Sequence, residues 1–447
     1  MTEHLTDHPV AAGGPGPVLD PLAAPLPAEP AVEPENQEPL AKMSKGAIWG
    51  LVLLTLGGTM AVVVPMAYSM TVRLSALAPG QEQLLGYIIG AGALLNVLTM
   101  PLFGVLSDRT KSRLGRRRPW AVGGMLVGMV GLFALATAPS VIWLGIAWAI
   151  TLVAWQTAGN QATYVQGDKL PEGQRGRVAA LTGFASLASS VIGMSMVTSV
   201  SSNHVLLFLI PGFVGALGVL IFCLVIREDS RAMEFEKVNM AEVLGKYMFN
   251  PRQYPDYGWN WLGRFLLFFG LSFTTTYGTY FMASRLQLPV EQLAGIMAIS
   301  GLGGVLASAL GALGAGFLSD RLRRRKIFVL ISGLVGLGAT VLSATSYSLP
   351  GVVGGSILTM LAIGIFSTVD QAIFLDVLPD RAEAGRFISI IGLAQQLPTA
   401  IGPFVAPALL AIGATAAGPN YTLLFLASGV LFLLGGLLIV WKVRGVR

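Results

Sequence analysis

Two residues carry charge where the surrounding sequence leaves little room for it. Asp370 lies in the apolar stretch 350–375, and Arg264 lies in the apolar stretch 259–283. An ionised side chain in hydrocarbon is costly unless it pairs or faces water. Each lies about five residues from the same end of its stretch, so two helices rising 1.5 Å per residue bring them to similar depth. The spacing predicts that they face each other across two packed helices. Two chemistries suit such a pair. Asp370 takes up and releases a proton, while Arg264 tunes its affinity or replaces the proton as partner. Alternatively, the two form a static ion pair that locks the helices. Away from the ends of the apolar stretches there is no His, Glu or second Asp, which argues against a multi-residue proton relay.

The elements that must hold this pair are membrane helices. The chain has 447 residues, of which 54% are hydrophobic and 12% charged, with a mean hydropathy of +0.69. Soluble domains carry roughly 25% charged residues. A span needs about 20 apolar residues. Twelve stretches qualify: 46–70, 84–106, 119–138, 140–165, 178–200, 205–226, 259–283, 290–317, 327–346, 350–375, 386–413 and 421–443. Lys and Arg collect in alternate connections: Arg109 to Arg118, Lys169 to Arg177, Arg321 to Lys326, Arg381 to Arg386, and the C-terminal Lys442, Arg444 and Arg447. The intervening connections offer Arg73 and Arg285. By the positive-inside rule both termini are expected in the cytoplasm of a multi-pass cell-membrane protein. The net charge of +6 is thus a topology signal, and nucleic acid is not an expected partner.

The chain also repeats itself. Leu106-Ser107-Asp108-Arg109 recurs as Leu318-Ser319-Asp320-Arg321, Asn160-Gln161-Ala162 matches Asp370-Gln371-Ala372, and Gly176-Arg177 matches Gly385-Arg386. The copies lie roughly 210 residues apart, the mark of a carrier built from two similar halves. The expected organisation is a cytoplasmic tail over 1–41, a six-helix bundle over 42–226, a linker over 227–258 and a second bundle over 259–447. The tail holds nine prolines, seven acidic residues and neither Lys nor Arg, a composition unable to fold by burial. Within the linker, residues 238–249 have the spacing of an amphipathic helix lying on the membrane, and a plain linker helix fits as well.

Asp108 and Asp320 fall at cytoplasmic helix ends. A carboxylate there can accept hydrogen bonds from the free N–H groups of a helix start in the other half. Asp108, Arg109, Arg117, Asp320 and Arg321 are therefore candidate parts of a cytoplasmic gate. The bland alternative is local pairing with the neighbouring arginines. Candidate substrate contacts are Asn96 in the second stretch, then Gln156, Asn160, Gln161 and Tyr164 in the fourth. The seventh offers Tyr277 and Tyr280, the tenth Gln371, and the eleventh Gln395 and Gln396. Taken singly these residues suit interhelical hydrogen bonding. Together they suggest a cavity for a polar, uncharged ligand such as a sugar. Pro65, Pro101, Pro398 and Pro403 free backbone groups and can kink their helices. The glycine run 301–316 lies inside a span with no strand before it, so close helix packing is expected there rather than nucleotide binding. Cys223 is the single cysteine, His4, His8 and His204 lie outside the spans, and no metal, cofactor or catalytic set is visible.

The twelve spans and the repeated Gly-x-Leu-Ser-Asp-Arg motif resemble the major facilitator superfamily. More narrowly, SDRTKSRLGRRRPW over 107–120, the segment Asn250 to Phe265 and the segment Val369 to Pro379 resemble the sucrose-transporter-like and glycoside–pentoside–hexuronide:cation symporter group. The resemblance implies an all-α fold of two pseudo-symmetric six-helix bundles, alternating access, and proton- or sodium-coupled uptake of a sugar or glycoside. Such symporters typically carry acidic residues in the first-half helices. This chain has none there, so the expected coupling ion is a proton acting through Asp370. A monomer in the bilayer is expected. An exporter or facilitator of another small molecule is the alternative within transport, and a non-transporting membrane sensor is the alternative outside it.

Overall fold

The computed structural model describes residues 42–227, 230, 249–379, 383–415 and 418–443. The tail over 1–41, the expected amphipathic segment up to residue 248, and Arg381, Arg444 and Arg447 lie outside the described residues.

Among the described residues, twelve long helices run in sequence. They are α1 (Lys45–Leu77), α2 (Leu84–Asp108), α3 (Arg118–Ala136), α4 (Val141–Lys169), α5 (Glu172–Thr198), α6 (His204–Val225), α7 (Pro255–Leu286), α8 (Ala294–Leu322), α9 (Arg325–Thr345), α10 (Leu349–Asp376), α11 (Ala384–Ala411) and α12 (Tyr421–Lys442). Eleven are long and apolar enough to cross a membrane. The remaining one, α7, has 32 residues and carries the hydroxyl and aromatic residues around Thr274–Tyr280 together with Arg264 and Arg285. Local sequence sets the ends. Ser44, Ser140, Asn203 and Asn420 accept N–H bonds at the starts of α1, α4, α6 and α12. Pro255 occupies the first turn of α7, where its missing N–H does no harm. Within α1 the backbone makes a π-helical turn over Pro65–Ser69, and the helix continues to Leu77, past the expected end at residue 70.

The internal repeat is visible as packing. In the first half α1 packs on α4, α5 and α6, α4 on α2 and α3, and α3 on α6. In the second half α7 packs on α10, α11 and α12, α10 on α8 and α9, and α9 on α12. Each contact has its counterpart six helices later. The contacts between halves obey the same exchange, because α2 meets α11 and α8 meets α5. Matched glycines allow the closest approaches. A Cβ on Gly57 of α1 would sit 2.6 Å from the Val214 carbonyl of α6, and one on Gly270 of α7 would sit 2.7 Å from the Ser428 carbonyl of α12.

The halves are held together at the end opposite the arginine-rich loops. Tyr277 of α7 donates to the Gln83 carbonyl and accepts from Gly86 N–H, both at 3.1 Å. Tyr280 meets Ser75 at 3.2 Å and the Thr71 carbonyl at 3.3 Å. Tyr68 of α1 donates to the Glu291 carbonyl at 2.8 Å, and Thr279 donates to the Ala67 carbonyl. This corrects the expectation for Tyr277 and Tyr280. They are buried, and their hydroxyls are engaged in an inter-half seam rather than turned towards a substrate cavity. Which way a helix face points depends on the angle between halves, which no local spacing encodes. Trp155, which precedes Gln156 on α4, is fully buried against Gly128 and Gly215 inside the first half.

Candidate functional site

Arg264 and Asp370 meet. The guanidinium Nη1 of Arg264 lies 2.6 Å from Oδ2 of Asp370, which is 1% exposed, whereas the Arg264 side chain is 14% exposed. A second guanidinium nitrogen reaches Gln395 of α11 at 3.5 Å, and the guanidinium lies 5.7 Å from the Phe268 ring centre. Asn260, one turn before Arg264 on α7, is completely buried beside the same carboxylate. Its amide oxygen and nitrogen and Oδ1 of Asp370 all lack hydrogen-bond partners. The register of α7 comes from the segment that precedes it. Tyr257 donates to the Phe387 carbonyl at 2.8 Å, and the Trp261 indole donates to the Ile390 carbonyl at 2.9 Å. These bonds clamp the start of α7 to α11. The clamp places Arg264 between Asp370 on α10, which is buried, and Gln395 on α11, which is exposed.

At the arginine-rich end each half carries one cation between two carboxylates. In the first half Arg117 is 4% exposed. It contacts Asp108 at 2.5 Å and Asp168 at 2.8 Å, donates to Ser107 at 3.1 Å, and lies over the Tyr164 ring at 4.8 Å. Arg116 also reaches Asp168, at 2.9 Å. In the second half Arg325 contacts Asp320 at 3.5 Å and pairs with Asp376. Asp108 and Asp320 therefore pair inside their own halves in this structure, not with a helix start across the molecule as expected. The reason is distance: the inter-half bonds named above all lie at the far end, and the arginines are closer. Arg321 is exposed, and Arg325 holds the place that Arg117 holds in the first half. Sequence reasoning missed Asp168, Arg325 and Asp376. A signal was present, because Asp168-Lys169-Leu170-Pro171 recurs as Asp376-Val377-Leu378-Pro379.

The expected substrate residues divide. Asn96, Asn160, Gln161 and Tyr164 line one recess in the first half, together with Met100, Phe103 and Thr157. Gln161 is buried there, accepting from Ser107 at 3.0 Å and donating to the Thr157 carbonyl at 2.9 Å, so its amide serves the Arg117 cluster. Gln156 and Gln396 are half-buried, while Gln371 and Gln395 are exposed. A second cavity, of about 300 Å³, lies between α1 and α5 of the first half and α7, α8 and α10 of the second, with Ser343 of α9 and Phe425 of α12 completing it. Small hydroxyl residues, methionines and Phe281 form its wall, and the candidate amides do not. The polar run of the seventh stretch, with Thr275 and Thr279, pointed to one wall of this site; the serines and threonines of α5, α8 and α10 were missed because such residues in an apolar helix usually bond their own backbone.

The sequence profile of the Major Facilitator Superfamily matches the chain over residues 16–194, 83–314 and 305–446. A general alpha-glucoside permease of Schizosaccharomyces pombe is 45% identical over 51 residues, which is 11% of this chain and 9% of the permease. An uncharacterized symporter of Synechocystis sp. is 46% identical over 43 residues, 10% of this chain and 8% of the symporter. The matched region thus spans under a tenth of either relative's length. Among solved structures, a bacterial homolog of the human lysosomal transporter Spinster, inward-facing and unoccupied, aligns with a TM-score of 0.69 at 15% identity, covering 90% of this chain and 98% of that one. The nucleoside transporter NupG aligns with a TM-score of 0.69 at 13% identity, covering 89% and 99%. At these identities the likeness speaks for the fold.

Proposed function

This chain belongs to the major facilitator superfamily, and on that premise we propose that it imports a neutral sugar or glycoside together with a proton by alternating access. The excess of Lys and Arg in alternate connections places the arginine-rich end in the cytoplasm. The seam of Tyr68, Tyr277 and Tyr280 then lies on the outer side and holds it closed.

The observation that carries the proton reading is the Arg264–Asp370 pair, with one partner buried and the other reaching open space. Ionised, Asp370 holds Arg264 through a charge-assisted bond. Protonated, it releases the guanidinium, whose second partner, Gln395, marks the direction in which a sugar hydroxyl would be met. Substrate and proton would thus compete for, or cooperate through, one guanidinium. A proton carried inward across the membrane gains about 2.3 kcal/mol per 100 mV. The sugar reading draws support from the short matches to a glucoside permease and a symporter. The clusters of Asp108, Arg109 and Arg117 and of Asp320 and Arg321 act in this scheme as the cytoplasmic gate, exchanging local partners for the other half when that end closes.

The test is uptake into proteoliposomes with an imposed inward proton gradient. We expect the parent to accumulate an α-glucoside, and Asp370→Asn to exchange it without accumulating it. If Asp370→Asn concentrates the sugar as well as the parent does, Asp370 does not couple.

A further inference from the structure

The second cavity is built for something other than a sugar ring. Its volume of about 300 Å³ is at the small end of the range for ligand pockets. None of the residues lining it is ionisable. Met66, Met282, Met297 and Met360 supply thioethers, and Phe281 and Phe425, stacked with ring centres 3.8 Å apart, supply an aromatic wall. The hydroxyls between them are largely spent on the backbone. Thr274 donates to Leu271, Ser300 to Ile296, Ser356 to Val352 and Thr359 to Gly355, at 2.8 to 3.0 Å. What these hydroxyls turn to the lumen is mainly lone pairs and methyl or methylene groups. A sugar ring placed wholly inside could donate to these lone pairs, but only Ser308 and Ser343 would be left to donate to its own oxygens, so most of those oxygens would lack a donor. An apolar substituent meets no such penalty, and methionine walls adapt to varied shapes.

The surroundings indicate where the hydroxyl-bearing part belongs. Gln156 of α4 and Ser308 at the cavity rim both lie about four helical turns from the seam end. The amides therefore begin where the thioether wall stops. Gly278 of α7 faces the lumen, since a Cβ added there would find no atom within 4 Å.

Resting on the transport reading above, we propose that this cavity accepts the apolar aglycone of a neutral glycoside, whose sugar remains at the amide-lined level below. The expected preference is for alkyl and aryl glycosides over free sugars. Each buried methylene should tighten binding about fourfold until the cavity is full.

Binding of glucose and of methyl, ethyl, propyl, butyl and phenyl α-glucosides to the purified full-length protein gives the reading directly. We expect affinity to rise along the alkyl series and then level off, with phenyl at least tenfold tighter than methyl. Gly278→Phe should abolish that rise while leaving the affinity for methyl α-glucoside within about threefold. Gly278→Ala should leave the series intact, and its monodisperse elution alongside the larger variant controls for folding. A flat series in the parent, or an unaltered series in a folded Gly278→Phe, overturns the proposal. Counterflow of methyl α-glucoside in liposomes separates the two ideas. No counterflow with a rising series would sink the transport reading alone, whereas counterflow with a flat series would sink the aglycone site alone.

Discussion

The buried charges of this protein are held in different ways, so the consequences of substitution differ residue by residue. Arg264 stabilises a carboxylate that is otherwise out of reach of water, and removing one member of a buried pair leaves the other uncompensated. Arg264→Ala should cost about 3–5 kcal/mol of stability at neutral pH. The double variant Arg264→Ala with Asp370→Ala should cost less than the single one, because no lone charge remains. Thermal unfolding in detergent measures both, and a double variant less stable than Arg264→Ala would contradict the pairing argument. Arg117 sits between Asp108 and Asp168 with its guanidinium shared among both and Ser107. Lysine keeps the charge but not the planar fork. Arg117→Lys should therefore lower stability by about 1–3 kcal/mol, with Arg325→Lys, whose partners are more exposed, losing less. The pairing of Arg264 with Asp370 was legible in the sequence because charges are so scarce in these spans. The roles of Asp168 and Asp376 were not, since an acid near a helix end reads as an ordinary loop residue until its partner's position is known.

Helices here pack through small residues, and the repeat conserves the geometry of the crossings rather than the residues at them. Gly57 on α1 and Gly270 on α7 occupy corresponding crossings, against Val214 and Ser428 respectively. In lipid no hydrophobic force draws helices together, so such close contact carries the packing. Gly57→Val and Gly270→Val should each destabilise by about 1–3 kcal/mol through overpacking. Gly278→Ala, on the same α7, should be nearly neutral, since that face is open. Thermal shifts of the three proteins test the contrast, and equal losses would mean that α7 packs differently. Helix number, order and polarity were readable from apolar length and arginine placement. The π-turn at Pro65–Ser69 was readable only as a kink, because the form a kink takes depends on neighbours that absorb the freed carbonyls.

At the scale of the whole molecule, the seam opposite the arginine-rich loops contains a buried carboxyl with no cation beside it. Glu82, between α1 and α2, has a carboxylate oxygen that is buried and lacks a hydrogen-bond partner. Burial pushes its carboxyl above the ordinary carboxylate range, with no cation opposing the shift. Its titratable neighbours are the phenols of Tyr277 and Tyr280 across the seam. The protonated form is favoured where the seam is closed, and the ionised form where opening hydrates it. Closure is therefore fully supported below the ordinary carboxyl pKa, and that support is lost as pH rises through the higher value of the closed state. External alkalinisation should shift the population towards outward opening, and Glu82→Gln should remove the dependence. Labelling of a cysteine placed at Gln81 in a Cys223→Ser background, taken at each pH as the ratio of Glu82 protein to Glu82→Gln so that thiol ionisation cancels, reports the shift, and an equal ratio at pH 5 and pH 8 would refute it.

The amino-acid sequence by itself determined that the chain is a twelve-helix membrane protein of two related halves, and which end carries the arginines. It also singled out Arg264 and Asp370. Those properties follow from composition and spacing along one dimension, where hydrocarbon imposes a harsh and local rule on every charge. Only the tertiary structure decided that Tyr277 and Tyr280 seal a seam, that Asp108 and Asp320 turn to their own arginines, and that the second cavity is lined by thioethers and spent hydroxyls. These depend on the angle at which one half meets the other. That angle is set by many small packing contacts distributed over α2, α5, α8 and α11, none of which announces itself in a single stretch of chain.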